Sequence, residues 1–246
     1  MKYNLLGKSD LSVSEIGFGC MSLPQDEKEA IKIIHAAIEK GINYFDTADV
    51  YSKGANEIIV GKALVGKRDK IILASKVGNV YKPDGSSGFN WDPSKKHILE
   101  SIDPTLKRLN TDYLDLYQLH GGTMEDNIDE TIEAFELLKQ QGKIKHYGIS
   151  SIRPAVINEY TKRSDIVSVM TQYSLLDRRP EEEILDLLYK NNISVLVRGA
   201  LAQGLLAGKP AKPYLNLSAE EVQKISASIN HSSHEAINYV FKHPAV

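Results

Sequence analysis

The sequence predicts an all-parallel α/β fold, and three observations carry that prediction. Seven short β-rich runs alternate with amphipathic helical segments along the 246 residues, the rhythm of a parallel sheet covered by helices. Lys2–Leu6 and Leu11–Glu15, separated by Gly-Lys-Ser-Asp, read as a β-hairpin ahead of the first parallel strand. The apolar fraction of 42% and charged fraction of 25% supply a full core without any low-complexity tract. Two architectures fit this pattern, the doubly wound open sheet and the (β/α)8 barrel. The length allows a single domain, residues 1–246.

The predicted strands are Ile16–Gly19, Tyr44–Asp46, Ile71–Lys76, Leu114–Leu119, Ile144–Ile149, Val167–Gln172 and Ser194–Arg198, short and apolar as buried parallel strands are. Ile31, Ile34 and Ile38 recur at helical spacing behind the capping box Asp26-x-x-Glu29, and Gly41 closes that helix. Asp92-Pro93 and Arg179-Pro180 each read as N-cap and first helical residue, and Glu181 to Glu183 suit the helix dipole. Ile128, Ile132 and Phe135 mark one further helix, ended by Gly142, while Ile184 and Leu188 mark another. Gly208–Asn216, with Pro210 and Pro213, reads as a long loop, after which Ser218-x-x-Glu221 opens a helix. A last helix falls around His234–Lys242.

Composition excludes several classes of function. With 30 basic and 32 acidic residues the net charge is −2, so no basic face for nucleic acid is expected. No apolar run reaches the roughly 20 residues of a membrane helix, and the start MKYNLLGKSD has no secretory h-region. A lone cysteine, Cys20, forms no internal disulfide and fits a reducing, cytoplasmic setting. Gly17-Phe18-Gly19-Cys20-Met21-Ser22 imitates a dinucleotide fingerprint, but Ser22 replaces the third glycine and the helix starts later, at Asp26. His231-Ser-Ser-His234 reads as a solvated helix start, and no metal site is expected. No heptad or edge-strand signal assigns an oligomeric state.

The chemistry lies at strand ends. Asp46 ends the second predicted strand, Lys76 the third and His120 follows the fourth, while Tyr51 lies five residues beyond Asp46. In a barrel, active sites form at the carboxyl ends of the strands. Tyrosine, with a pKa near ~10, is a poor acid at neutral pH; an ammonium such as Lys76 would stabilise its phenolate. Asp46 would hold that ammonium, and His120 would donate a hydrogen bond to a carbonyl oxygen gaining negative charge. Alone, each is as readily a solvated strand end; in series at one end of consecutive strands they form a candidate site.

These residues resemble the aldo-keto reductases. Ile-Asn-Tyr-Phe-Asp46-Thr-Ala-Asp-Val-Tyr51 followed by Asn56-Glu57 is similar to that family's first signature. Lys76 and Leu119-His120 match the other tetrad positions. Gly148-Ile-Ser150-Ser151, Gln172-Tyr173-Ser174-Leu175 and Gly204-Leu-Leu-Ala-Gly208-Lys209 extend the likeness along the chain. The resemblance implies a (β/α)8 barrel with a hairpin closing its lower end, and reduction of a small aldehyde or ketone by NADPH, with NADH as the alternative. It implies Tyr51 as general acid, Lys76 and Asp46 as its partners, and His120 orienting the carbonyl. Ser150, Ser151 and Gln172 would hold the nicotinamide, with Asp46 near the ribose. Gly19, Cys20 and Met21 would line the site through backbone groups, with Cys20 a small packing residue and not a nucleophile, and Arg198, Gly199 and Leu201 would line it too. Gly204, Leu205, Gly208 and Lys209 would belong to a loop over the pyrophosphate. Tyr81 and Trp91, in Gly78–Trp91, are candidate walls of the carbonyl pocket.

Three positions depart from the family pattern. Ser151 stands where many members carry Asn, and Arg198 stands where many carry an aromatic. The chain reaches His-Pro-Ala-Val246 just after the helix of its seventh unit; the eighth β/α unit and the family's loop for the adenosine 2'-phosphate are expected to lie outside this sequence, the alternative being a truncated member with a weakened hold on the nucleotide. A partner-binding module like the potassium-channel β subunits, or an aldolase-type barrel using Lys76 as a Schiff base, would be the competing readings.

Overall fold

Leu6, Leu11 and Val13 give the first residues a buried apolar face, and that face fixes where the chain begins. In the computed structural model, which describes residues 1–246, strands β1 (Tyr3–Leu5) and β2 (Ser12–Ser14) pair antiparallel. Leu6 and Leu11, between the two strands, and Val13 of β2 pack on Tyr44, Ala74, Leu116 and Val167, inward-facing side chains toward the lower end of the parallel strands. The close approach requires glycine at position 7. Its φ is +56°, and a Cβ there would lie 2.3 Å from the Val167 carbonyl oxygen. The hairpin therefore closes the amino-terminal end of the sheet and leaves the carboxyl-terminal end open.

Seven parallel strands make up one curled sheet: β3 (Phe18–Gly19), β4 (Tyr44–Asp46), β5 (Ile72–Val77), β8 (Leu114–Leu119), β9 (Ile144–Ser150), β10 (Ser168–Gln172) and β11 (Ser194–Arg198). Each pairs with the next in that order, and the result is a half-barrel of the (β/α)8 type. β3 and β11 are its two edges, and Val195 N–H donates to the Ala245 carbonyl at 2.7 Å beside β11. Eight helices follow: α1 (Glu27–Glu39), α2 (Ala55–Ala63), α3 (Lys95–Leu109), α4 (Ile128–Gln140), α5 (Pro154–Arg163), α6 (Pro180–Lys190), α7 (Ala219–Ser228) and α8 (Ser233–Val240). Their apolar stripes meet the outward faces of the strands. Ile34, Ile102, Phe135 and Leu188 thus share one core with Phe45, Leu73, Tyr117 and Val169.

The seven expected strands are present: Tyr44–Asp46, Leu114–Leu119 and Ser194–Arg198 with the expected ends, the others with an end shifted by one or two residues. The ends of most helices also follow the local chemistry. Asp26 accepts from Glu29 N–H at 2.8 Å, Ser218 and Glu221 form a complete capping box, and α6 starts at Pro180 behind Arg179. Gly41 and Gly142 follow α1 and α4 at φ +87° and +71°, the left-handed conformation that ends a helix. Asp92-Pro93 is the correction. The N-cap of α3 is Ser94, which accepts from His97 N–H, while Asp92 accepts from Ser94 N–H at 3.0 Å and forms the turn before it. The segment after β5 holds an unforeseen hairpin, β6 (Asn79–Tyr81) and β7 (Phe89–Trp91), standing at the open end of the half-barrel.

Candidate active site

Strand alternation turns Tyr44 and Asp46, Ala74 and Lys76, and Leu116 and Gln118 toward the barrel axis, the polar member of each pair nearer the carboxyl end. The Lys76 side chain is 1% exposed. Its ammonium donates to Asp46 Oδ1 and to the Thr47 carbonyl at 2.7 Å, and lies 3.4 Å from Tyr51 Oη. Gln118 Nε2 donates to the other Asp46 oxygen at 2.9 Å. Burial pulls the Lys76 pKa down, but Asp46 and then Tyr51 outweigh it, so Lys76 sits above its ordinary value and stays charged.

His120 follows β8 and is set with its ring edge-on to Tyr51, centroids 6.0 Å apart. Its Nδ1 is buried without a partner. Burial first, then Lys76 and Arg198, push its pKa down to about 3. His120 is therefore neutral across the physiological range, a hydrogen-bonding group and not a cation. A phenol with an ammonium on one side and a neutral imidazole on the other can pass a proton to an oxygen placed between them.

The tetrad opens into a cavity of about 1770 Å³, which runs from the mouth down to Leu6 and Val13. Of the residues expected at a cofactor site, Gly19, Met21, Ser150, Ser151, Gln172, Arg198, Gly199, Leu201 and Gly204 line it, with Asp46. The others stand behind the wall. Cys20 is fully buried: its carbonyl accepts from Asn56 Nδ2 at 2.8 Å, and burial pushes its thiol far above the usual range, so it packs and does not react. Leu205 belongs to a small apolar cluster with Leu176, Ala202 and Val222. Gly208 caps the turn Ala202–Ala207 at φ +88°, and the stem of Lys209 lies against Gly204. Tyr81 lines the cavity, but Trp91 does not. The Trp91 ring packs against Gly78 and Gly121, and its indole N–H donates to Asp126 at 2.9 Å.

A model of the Aldo/keto reductase family matches residues 15–245. The chain belongs to that family. Membership makes it an oxidoreductase acting on carbonyls. It is similar to an uncharacterized oxidoreductase, YqkF, of Bacillus subtilis (strain 168), at 52% identity over 261 residues, covering all of this chain and 85% of that protein. It is also similar to the solved structures of aldo-keto reductase AKR11C1 from Bacillus halodurans. The holo form matches at 55% identity and a TM-score of 0.95, covering 100% of this chain and 84% of that one. The apo form matches at 51% identity and a TM-score of 0.86, covering 100% and 83%.

Several supports of this candidate site lay outside the sequence reading. Gln118 was legible as the one polar inward position of an otherwise apolar inward row, Leu114, Leu116, Gln118. Gln172 is held from behind by Asp177 at 3.0 Å and Tyr214 at 2.8 Å, and Asp177 in turn by Arg179. Asp177 and Arg179 lie in the turn directly after β10, whereas Tyr214 comes from a loop 42 residues on that no local pattern announces.

Proposed function

We propose that the chain reduces a small aldehyde or ketone to the alcohol with NADPH, NADH being the alternative donor. The observation that carries this reading is Tyr51 Oη standing 3.4 Å from a buried, charged Lys76 beside a neutral His120, all facing one large cavity. The lining fits a nicotinamide nucleotide. Ser150, Ser151 and Gln172 Oε1 offer hydrogen bonds along the cavity wall, while Gly199 and Gly204, both at positive φ, bring backbone close to a ligand. Likeness to a holo form at a TM-score of 0.95 supports an arrangement ready for its ligand.

When bound, the nucleotide supplies a hydride to the carbonyl carbon. The Tyr51 hydroxyl hydrogen-bonds the carbonyl oxygen and delivers its proton there as charge builds up. Lys76 stabilises the phenolate left behind, and Asp46, locked by Gln118, keeps Lys76 in place. His120 aligns the oxygen with its neutral N–H. Arg198, 3.4 Å from Gln172 Oε1, presents a planar cation at the mouth that can stack on a flat ring. We read the chain as a single-domain, cytoplasmic enzyme acting on a small molecule; no helix is long and apolar enough to cross a membrane. Tyr51→Phe should abolish carbonyl reduction and retain nucleotide binding; a variant with full turnover would overturn the assignment.

A further inference from the structure

Tyr51 sits at the head of a strained turn. Ser52 and Lys53 have φ of +50° and +55°, followed by Gly54 at +85°, so three consecutive residues occupy the left-handed region and two of them carry a Cβ. Such residues prefer other conformations and stay in place only where the surroundings hold them. The Lys53 N–H lies 3.4 Å from the Val50 carbonyl, a long bond for a backbone in this state. The second hold comes from outside the turn. Tyr81 Oη accepts from Lys53 N–H at 3.2 Å and donates to the Val50 carbonyl. One hydroxyl thus grips the chain on both sides of Tyr51.

Tyr81 is itself fixed. It lies opposite Phe89 across the β6–β7 hairpin, and the two rings meet edge-on at 5.0 Å. At the root of the same hairpin Asn79 Nδ2 donates to the His120 carbonyl at 3.2 Å, and Trp91 seats the partner strand on Gly78 and Gly121. The hairpin therefore touches the backbone of both groups that flank the reacting oxygen. We infer that Tyr81 is a positioning residue: its hydroxyl clamps the left-handed turn so that the Tyr51 phenol points at Lys76 and the cavity. This rests on the reading of Tyr51 as the general acid.

Tyr81→Phe keeps the ring, its packing on Phe89 and the cavity wall, and removes both hydrogen bonds. The expected result is a fall in kcat of about ten-fold, with the nucleotide Kd, the carbonyl KM and the thermal midpoint each nearly unchanged. A released turn is rescued by a residue that favours positive φ. Adding Lys53→Gly to Tyr81→Phe should therefore recover most of the lost kcat, while Lys53→Gly alone stays within two-fold of the parent. A Tyr81→Phe variant with parental kcat overturns the inference, as does a rise in carbonyl KM at constant kcat, which would make the hydroxyl a substrate contact. Failure of Lys53→Gly to rescue overturns it too. Tyr51→Phe, run in parallel, separates the two claims. If Tyr51→Phe turns over, the function reading falls; if it is inactive and Tyr81→Phe is unimpaired, only the clamp falls.

Discussion

Replacing Lys76 by methionine puts a number on how the site is held. The substitution preserves length and most of the volume, but removes an ammonium whose side chain is 1% exposed, beside an Asp46 carboxylate that is 10% exposed. Removing one partner of a buried ion pair leaves an uncompensated charge and costs roughly 3–5 kcal/mol. For a chain of this size, that lowers the thermal midpoint by about 10 °C. Asp46 can escape by taking up a proton, because burial raises its pKa. In the variant this shift is no longer opposed by Lys76. A carboxyl raised above its unfolded value contributes stability below that value and loses it as pH rises through the folded one. The deficit against the parent should therefore be largest near pH 8 and shrink on acidification. Urea unfolding at pH 8 and pH 5, with Asp46→Asn/Lys76→Met as the double variant, measures it. The double variant should recover much of the loss, since a buried amide keeps its bond from Gln118 and carries no charge. A Lys76→Met variant within 1 kcal/mol of the parent at pH 8 would refute the argument.

Other perturbations test separate parts of the structure. Gly7→Ala would place a Cβ 2.3 Å from the Val167 carbonyl at φ +56°; it should destabilise the fold by roughly 2 kcal/mol or more, lowering the urea midpoint and leaving kcat of the folded fraction intact. The His120 pKa of about 3 lies below the ordinary 6.5, so the unfolded chain binds the extra proton between those values and stability falls as pH drops through that window. His120→Asn should flatten that part of the stability profile, read as urea midpoints at pH 4.5 and 7; an unchanged slope would mean that His120 takes up its proton in the folded state.

Much of this architecture could be read from the chain because it rests on local signals. Strand alternation, capping residues and closing glycines predicted seven strands and most helix ends. The tetrad was visible because Asp46, Lys76 and His120 stand at the carboxyl ends of consecutive strands, with Tyr51 five residues past the first of them. What escaped depends on distance. Asp92 has the chemistry of an N-cap, and only the turn it makes with Ser94 shows that the cap lies two residues on. The hairpin from Asn79 to Trp91 carries β-formers around a glycine-containing tip, but arms of three residues each are too short for alternation to mark them as strands. Whether Trp91 or Tyr81 faces the cavity is decided by Gly78 and Gly121, against which the indole packs. The family resemblance points to Cys20 and Leu205 at the site, while in space their neighbours cover both side chains.

The central claim is that this cavity takes a reduced nicotinamide nucleotide beside Tyr51, and it is tested most directly by titrating the protein with NADPH and NADH. The readout is quenching of the fluorescence of its only tryptophan, Trp91, whose ring packs on Gly121, the residue after His120. The account predicts saturable binding of NADPH by both the parent and Tyr51→Phe, with turnover of a simple aldehyde in the parent alone. Failure of the parent to bind either nucleotide would contradict it.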